Sequence, residues 1–175
     1  MKKRRAIFFD RDGVIVTPIL RNGKPTAPWR RDEFQIEVDV HQILSLIGSF
    51  GFLRILVTNQ PDIAYGHLSP REWRWMQSYI EQLPFDDIFV CFHTRADDCL
   101  CKKPKPGMLL EAAKKWHIDL AHSYMIGDTD ADAKAAAAAG CKSILVEAPY
   151  NKELQSDYKV NCLFDATLLI QNNVL

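Results

Sequence analysis

Apolar positions along the chain fall into blocks that alternate between two spacings. Ala6-Ile7-Phe8-Phe9, Leu53-Arg54-Ile55-Leu56-Val57, Ile88-Phe89-Val90-Cys91-Phe92, Ser123 to Ile126 and Lys142 to Val146 are short runs rich in β-formers. Such runs predict strands covered on both faces. Between them, apolar residues recur every three or four positions. Val40, Ile43, Leu44 and Ile47 predict a helix over 38–50 that stops at Gly51. Trp73, Met76, Ile80 and Leu83 predict another, entered through the capping sequence Ser69-Pro70-Arg71-Glu72. A third spans Met108 to Trp116, and the alanine-rich stretch Ala131 to Ala139 forms a fourth, closed by Gly140. Residues 14–36 are broken by Pro18, Gly23, Pro25 and Pro28 and predict an irregular loop. Its Arg21, Lys24, Trp29, Arg30 and Arg31 either face a substrate or form a solvated basic surface. Beyond Pro149 the pattern weakens to a short strand near Cys162-Leu163-Phe164 and a helix to about Ile170. Strand–helix alternation predicts an α/β protein with a Rossmann-like, doubly wound parallel sheet. At 175 residues, with no linker, residues 1–175 suit one domain.

Charge and cysteine content narrow the partners. Lysine plus arginine and aspartate plus glutamate both number 22, so nothing marks the chain for nucleic acid or an anionic membrane. The basic start Met1-Lys2-Lys3-Arg4-Arg5 is followed by too few apolar residues for a signal peptide, and no apolar run approaches membrane-spanning length. The expected address is the cytoplasm, with a monomer as the default state. Cys91, Cys99 and Cys101 crowd around His93, which argues for metal rather than disulfides. Cys141 and Cys162 stand apart and are expected to be small buried apolar residues.

The chemistry sits where strands end. The first strand stops at Asp10-Arg11-Asp12-Gly13, and two carboxylates at one spot are costly without a cation. One can serve as nucleophile and the other as acid/base, a division of labour suited to phosphoryl transfer; a solvated turn is the alternative. Thr58-Asn59-Gln60 follows the second strand and can bind phosphate or cap a helix. Lys103 lies in a proline-stiffened turn after the third, and Asp128, Asp130 and Asp132 follow the fourth, where Asp130 either joins the other acids or caps the next helix. In a parallel sheet these ends share one edge, so the groups can converge.

The ordered set D-x-D-G-V, T-N-Q, K-P-x-P-G-M and G-D-x-x-x-D resembles the haloacid dehalogenase-type (HAD) phosphohydrolases over about residues 5–147. Cys91-x-His93 followed by Cys99-x-Cys101-Lys102-Lys103-Pro104 resembles their zinc-loop branch, which includes heptose bisphosphate and histidinol-phosphate phosphatases. The resemblance implies a capless domain with a zinc loop at 91–101 and a small phosphorylated metabolite as its partner. It makes Asp10 the nucleophile and Asp12 the acid/base, with Thr58 on the phosphoryl oxygens and Lys103 neutralising charge. Asn59, Gln60 and Lys102 are implied to bind substrate or phosphate. Mg²⁺ would be held by Asp10, the Asp12 carbonyl and Asp128, with Asp132 orienting the site. Structural Zn²⁺ would be held by Cys91, His93, Cys99 and Cys101.

The chain departs from the branch pattern at Pro61-Asp62, where Ser-Gly is usual, and at Tyr65, Lys102 and Thr129, where basic groups are usual and arginine is the residue expected at 65 and 102. The expected substrate is a sugar phosphate such as heptose 1,7-bisphosphate. The short spacing between His93 and Cys99 makes histidinol phosphate the alternative. Outside phosphatase chemistry the rivals are a phosphoacceptor signalling domain and an inactive HAD-fold binding protein.

Overall fold

The computed structural model describes residues 3–174, so Met1 and Lys2 of the basic N-terminal stretch lie outside the described residues. Its centre is β1 (Arg5–Phe9), buried on both sides because its residues alternate between two apolar clusters. Ile7 and Phe9 face one cluster and Ala6 and Phe8 the other, as a period of two requires. The chain then forms a hairpin of β2 (Ile19–Arg21) and β3 (Lys24–Thr26), followed by α1 (Val40–Ser49), β4 (Phe52–Asn59), α2 (Pro70–Ile80) and β5 (Asp87–Cys91). It continues through α3 (Gly107–Trp116), β6 (Tyr124–Gly127), α4 (Asp130–Ala139), β7 (Lys142–Val146), β8 (Tyr158–Val160) and α5 (Leu163–Val174).

Six strands pair in the order β5-β4-β1-β6-β7-β8, all parallel. Helices α1 and α5 cover the Ile7/Phe9 face, and α3 and α4 cover the Ala6/Phe8 face. This is the doubly wound strand order, with the direction of winding reversing between β1 and β6. The carboxyl ends of those two strands therefore flank the crevice where such sheets bind ligands. A smaller cluster of Leu68, Trp73 and Met76 packs under Trp29 and Phe34 and ties α2 to the segment after β1.

The loop expected at 14–36 contains more order than its prolines suggest. Asn22 (φ 52°) and Gly23 (φ 74°) form the turn of the β2–β3 hairpin, both in the left-handed region that a tight hairpin turn uses. Pro25 is tolerated because this ribbon is only two strands wide. Strand β4 runs on to include Thr58 and Asn59. Two C-terminal expectations are corrected. The last strand is Tyr158–Val160, and Leu163 and Phe164 belong to the first turn of α5. Cys141 is buried as expected, but Cys162 is exposed, because it sits in the turn entering α5 with its carbonyl accepting from Ala166 N–H.

Candidate active site

Asp10 is the first residue past β1, and its N–H donates to the Ile126 carbonyl of β6 at 2.9 Å, fixing it beside the end of that strand. Its Oδ1 accepts from Lys103 Nζ at 2.8 Å and from the Arg11 N–H at 2.7 Å. Lys103 reaches in from the proline-stiffened turn before α3 and is only 4% exposed. The ammonium has three protons and three partners: Asp10 Oδ1, Asp132 Oδ1 at 2.6 Å and the Val57 carbonyl at 2.8 Å. Asn59 braces this turn from β4. Its Nδ2 donates to the Lys103 carbonyl and its Oδ1 accepts from the Lys103 N–H, both at 3.0 Å. The amide expected to bind substrate or phosphate thus positions the lysine turn.

Asp128 follows β6, and Asp132 lies in the first turn of α4. Thr129, not Asp130, is the cap of that helix, and Asp132 Oδ2 accepts from the Thr129 N–H at 3.1 Å and from its hydroxyl at 2.5 Å. Asp130 occupies the first helical position and pairs with Lys134 at 2.6 Å. Of the alternatives for Asp130, the cap is thus excluded: the β-region backbone needed at a cap falls one residue earlier. Asp128 Oδ2 accepts from the Tyr150 hydroxyl at 2.6 Å, whereas its buried Oδ1 has no partner. A Cβ added at Gly13 (φ 93°) would lie 2.1 Å from Asp128 Oδ2, so the turn after β1 must carry glycine for the two strand ends to approach.

Oxygens of Asp10, Asp128 and Asp132 lie within 4.8 Å of one another. Burial, with Asp132 next, pushes Asp10 up to about 7 despite the Lys103 ammonium. Burial and then the charges of Asp10 and Asp132 push Asp128 up to about 8. Burial pulls the Lys103 ammonium down, but Asp10 and Asp132 outweigh it and hold its pKa above the ordinary value. Like charges in a desolvated cluster, one orphaned carboxylate oxygen and an all-oxygen donor set are the environment a hard divalent cation relieves.

Asp12 sits beside this group, its carboxylate bonded to the Arg11 guanidinium and to Gln60 Nε2 at 2.6 Å. Gln60 also donates to Thr58 Oγ1 at 2.9 Å, and both residues are fully buried. Asp10, Asp12, Asn59, Lys102, Lys103 and Asp128 line an open cleft of about 840 Å³, while Thr58 and Gln60 stand behind its wall. Lys102 donates to the His93 carbonyl at 3.0 Å, joining the cleft to the cysteine loop. The basic groups expected from 14–36 do not line the cleft. Arg21 pairs with Glu33 and stacks on Trp29, Arg30 pairs with Asp32 and Glu33, and Arg31 pairs with Glu72. Pro18, Pro25, Thr26 and Ala27 are the cleft residues of that segment.

Cys91, the last residue of β5, converges with His93, Cys99 and Cys101 of the loop that follows. Cys101 Sγ lies 3.1 Å from Cys91 Sγ, 3.5 Å from Cys99 Sγ and 3.2 Å from His93 Nδ1, and Cys91 Sγ lies 3.7 Å from Cys99 Sγ. These separations are close to the edges of a tetrahedron with zinc–ligand distances of about 2.0–2.3 Å. Burial raises the Cys99 thiol, but the Lys102 N–H and the other two thiols outweigh it and bring it to about 7. Burial and the neighbouring sulfurs push Cys101 up to about 12. Three sulfurs that cannot all ionise without a counter-charge fit a cation. Helix α3 is seated on the loop: a Cβ on Gly107 would meet the Leu100 carbonyl at 2.2 Å.

Arg11, Tyr150 and Asn151 escaped the sequence reading. Arg11 stands between the two expected acids yet is completely buried. Asn151 Nδ2 donates to the Asp128 carbonyl at 2.8 Å, and with Tyr150 it fastens the β7–β8 loop onto Asp128. The Pro149-Tyr150-Asn151 turn just past a strand end was the available signal.

Known proteins point to the same chemistry. The HAD-hydrolase-like family model matches residues 100–157. A D-glycero-beta-D-manno-heptose-1,7-bisphosphate 7-phosphatase of Helicobacter pylori is 31% identical over 153 residues, covering 83% of this chain and 85% of the relative. The enzyme of the same name from Haemophilus ducreyi is 33% identical, covering 93% and 96%. The crystal structure of D,D-heptose 1,7-bisphosphate phosphatase from B. bronchiseptica, complexed with magnesium and phosphate, superimposes with a TM-score of 0.82 at 25% identity, covering 97% of this chain and 99% of that one. The chain belongs to the HAD-type phosphatases, in the family of the heptose 1,7-bisphosphate 7-phosphatases.

Proposed function

We propose that the protein is a magnesium-dependent phosphomonoester hydrolase that works through an aspartyl-phosphate on Asp10, with heptose 1,7-bisphosphate as its substrate. The observation that carries this reading is the buried knot in which Lys103 joins Asp10 to Asp132 beside the half-satisfied Asp128, with Asp10, Lys103 and Asp128 lining the cleft. Asp10 Oδ1 is engaged by Lys103 and the Arg11 N–H, which leaves Oδ2 to attack phosphorus. As the new O–P bond forms, the ester P–O bond breaks and its electron pair stays on the leaving oxygen, which takes a proton from Asp12. A water then attacks the phosphoryl group and passes a proton to Asp12. The Asp10–phosphorus bond breaks, and the carboxylate and inorganic phosphate are regenerated. Lys103 holds positive charge against the phosphoryl oxygens throughout, while the Thr58 hydroxyl, expected on those oxygens, stands behind the cleft wall and braces the loop through Gln60. Mg²⁺, held by Asp10, Asp128 and the Asp12 backbone carbonyl, would supply Lewis-acid stabilisation of the phosphoryl charge.

Zn²⁺ at Cys91, His93, Cys99 and Cys101 would set the shape of the loop that carries Lys102 along the cleft, without entering the chemistry. Three reduced ligand thiols suit a cytoplasmic address, and among the described residues no helix is long and apolar enough to cross a membrane. Histidinol phosphate is the second substrate reading. It is favoured by the short His93–Cys99 loop and by Asp62, a carboxylate on the cleft wall that pairs with His67 at 3.2 Å and can meet an amine. The test is magnesium-dependent phosphate release from heptose 1,7-bisphosphate, histidinol phosphate and other sugar phosphates, with Asp10→Asn as control. Strong preference for the bisphosphate supports the reading. No release from any of them by the folded, metal-loaded protein overturns it.

A further inference from the structure

Arg11 is the least expected residue of the site: a guanidinium with no exposed surface, one position from the nucleophile. Its main chain has structural work of its own. The Arg11 carbonyl accepts from Ile15 and Val16 N–H at 2.9 and 2.8 Å, closing the turn after β1. That work does not need the side chain. The guanidinium lies 5.0 Å over the Trp73 ring and finds one counter-ion, Asp12. Arg11 Nε lies 3.1 and 3.2 Å from the two Asp12 oxygens and Nη2 lies 2.9 Å from Oδ1, while Nη1 is buried without a partner. From another side Gln60 Nε2 donates to Asp12 Oδ2 at 2.6 Å and is itself held by Thr58.

A buried arginine with an unsatisfied nitrogen is a poor stabilising device, since apolar residues commonly do as well in such a place. It is a good device for orientation. A short aspartate side chain at the mouth of a cleft would otherwise rotate among staggered positions, of which few address a leaving oxygen. Asp12 lines the cleft, and Arg11 and Gln60 do not. We infer that Arg11 and Gln60 form a clamp that grips Asp12 and sets the direction in which it delivers its proton to the leaving oxygen. The inference rests on the reading of Asp12 as the acid/base. Arg11 and Gln60 are positioning residues: neither touches substrate.

The reaction itself supplies a readout. An alkoxide leaving as the P–O bond breaks must take a proton, whereas a p-nitrophenolate leaves unaided. In both cases kcat/KM reports the steps up to loss of the leaving group. The experiment measures kcat/KM of the metal-loaded protein on heptose 1,7-bisphosphate and on p-nitrophenyl phosphate, for wild type, Arg11→Lys, Gln60→Met and Asp12→Asn. Arg11→Lys keeps the charge but loses the fork, and Gln60→Met fills the same space without the donor. Each clamp variant should lose about ten- to a hundredfold on the alkyl phosphate, with Asp12→Asn losing more. The loss on the aryl phosphate should be a few-fold or less. If Arg11→Lys fails to fold, Gln60→Met carries the test. Equal losses on both substrates in the clamp variants, with Asp12→Asn still selective, overturn the clamp while leaving Asp12 as the acid. Equal losses in Asp12→Asn as well overturn the acid/base reading and the clamp with it.

Discussion

Replacing Asp128 with asparagine should stabilise the metal-free protein while disabling it, and the gain should depend on pH. Asp128 is 1% exposed, and burial together with Asp10 and Asp132 raises it from an ordinary value of 3.8 to about 8. Between those values the folded chain holds a proton that the unfolded chain has released, so stability falls as pH rises through this window. At about 1.4 kcal/mol per tenfold change in proton affinity, the full displacement corresponds to roughly 6 kcal/mol. The repulsion is shared with Asp10, itself raised to about 7, so removing one member returns only part of it, about 2 kcal/mol. Asparagine keeps an acceptor for the Tyr150 hydroxyl and nearly the same volume beside Gly13. For a chain of this length, 2 kcal/mol is about 6 °C in Tm. Thermal melts in chelator should show the variant gaining that much at pH 8 and nothing near pH 4. Added Mg²⁺ should stabilise wild type more at pH 8 than at pH 5.5 and leave the variant unmoved. A variant that melts lower than wild type at pH 8, or a gain independent of pH, would refute the reasoning.

Asp10→Asn should lower kcat by at least about 10⁴-fold with the circular dichroism spectrum retained, because it removes the nucleophile and no packing. Lys103→Met strips three buried acceptors of their donor, two of them carboxylates. A loss of about 3 kcal/mol in urea unfolding at pH 8 is expected, shrinking at pH 5.5 as Asp10 takes up a proton. Cys99→Ser should reduce bound zinc, measured by elemental analysis, from one ion per chain to a small fraction. It should lower Tm by several degrees before it changes kcat for the metal-loaded fraction. Unchanged zinc in that variant removes the four-ligand site.

Phosphatase chemistry was legible in the chain because each carrier is announced by a local pattern. Asp10, Thr58 and Asp128 stand at the ends of apolar strands, and the tight spacing of Cys91, His93, Cys99 and Cys101 needs only one short loop to bring them together. The β2–β3 hairpin is masked in the chain although Asn22-Gly23 is a recognised hairpin signal, because Pro18, Pro25 and Pro28 around it break the strand pattern. The last strand was misplaced because three residues at a sheet edge carry less apolar signal than the first turn of α5, which also buries Leu163 and Ala166. The basic loop residues could not be assigned from spacing, since their acidic partners lie up to 41 positions away.

By itself the sequence determined the alternation of strands and helices, the sheet edge on which function sits and the residue types that meet there. Those properties follow from periodicity and from turn chemistry, which act within a few residues of chain. Tertiary structure decided the pairings. Lys103 bridges Asp10 and Asp132, Asn59 holds the Lys103 turn, Tyr150 takes one oxygen of Asp128, and Arg11 turns inward to Asp12 instead of outward to solvent. Hydrogen bonds form or fail over a few tenths of an ångström. Which donor reaches which carboxylate is therefore set by strand order, register and the close approach at Gly13, and no local pattern encodes those.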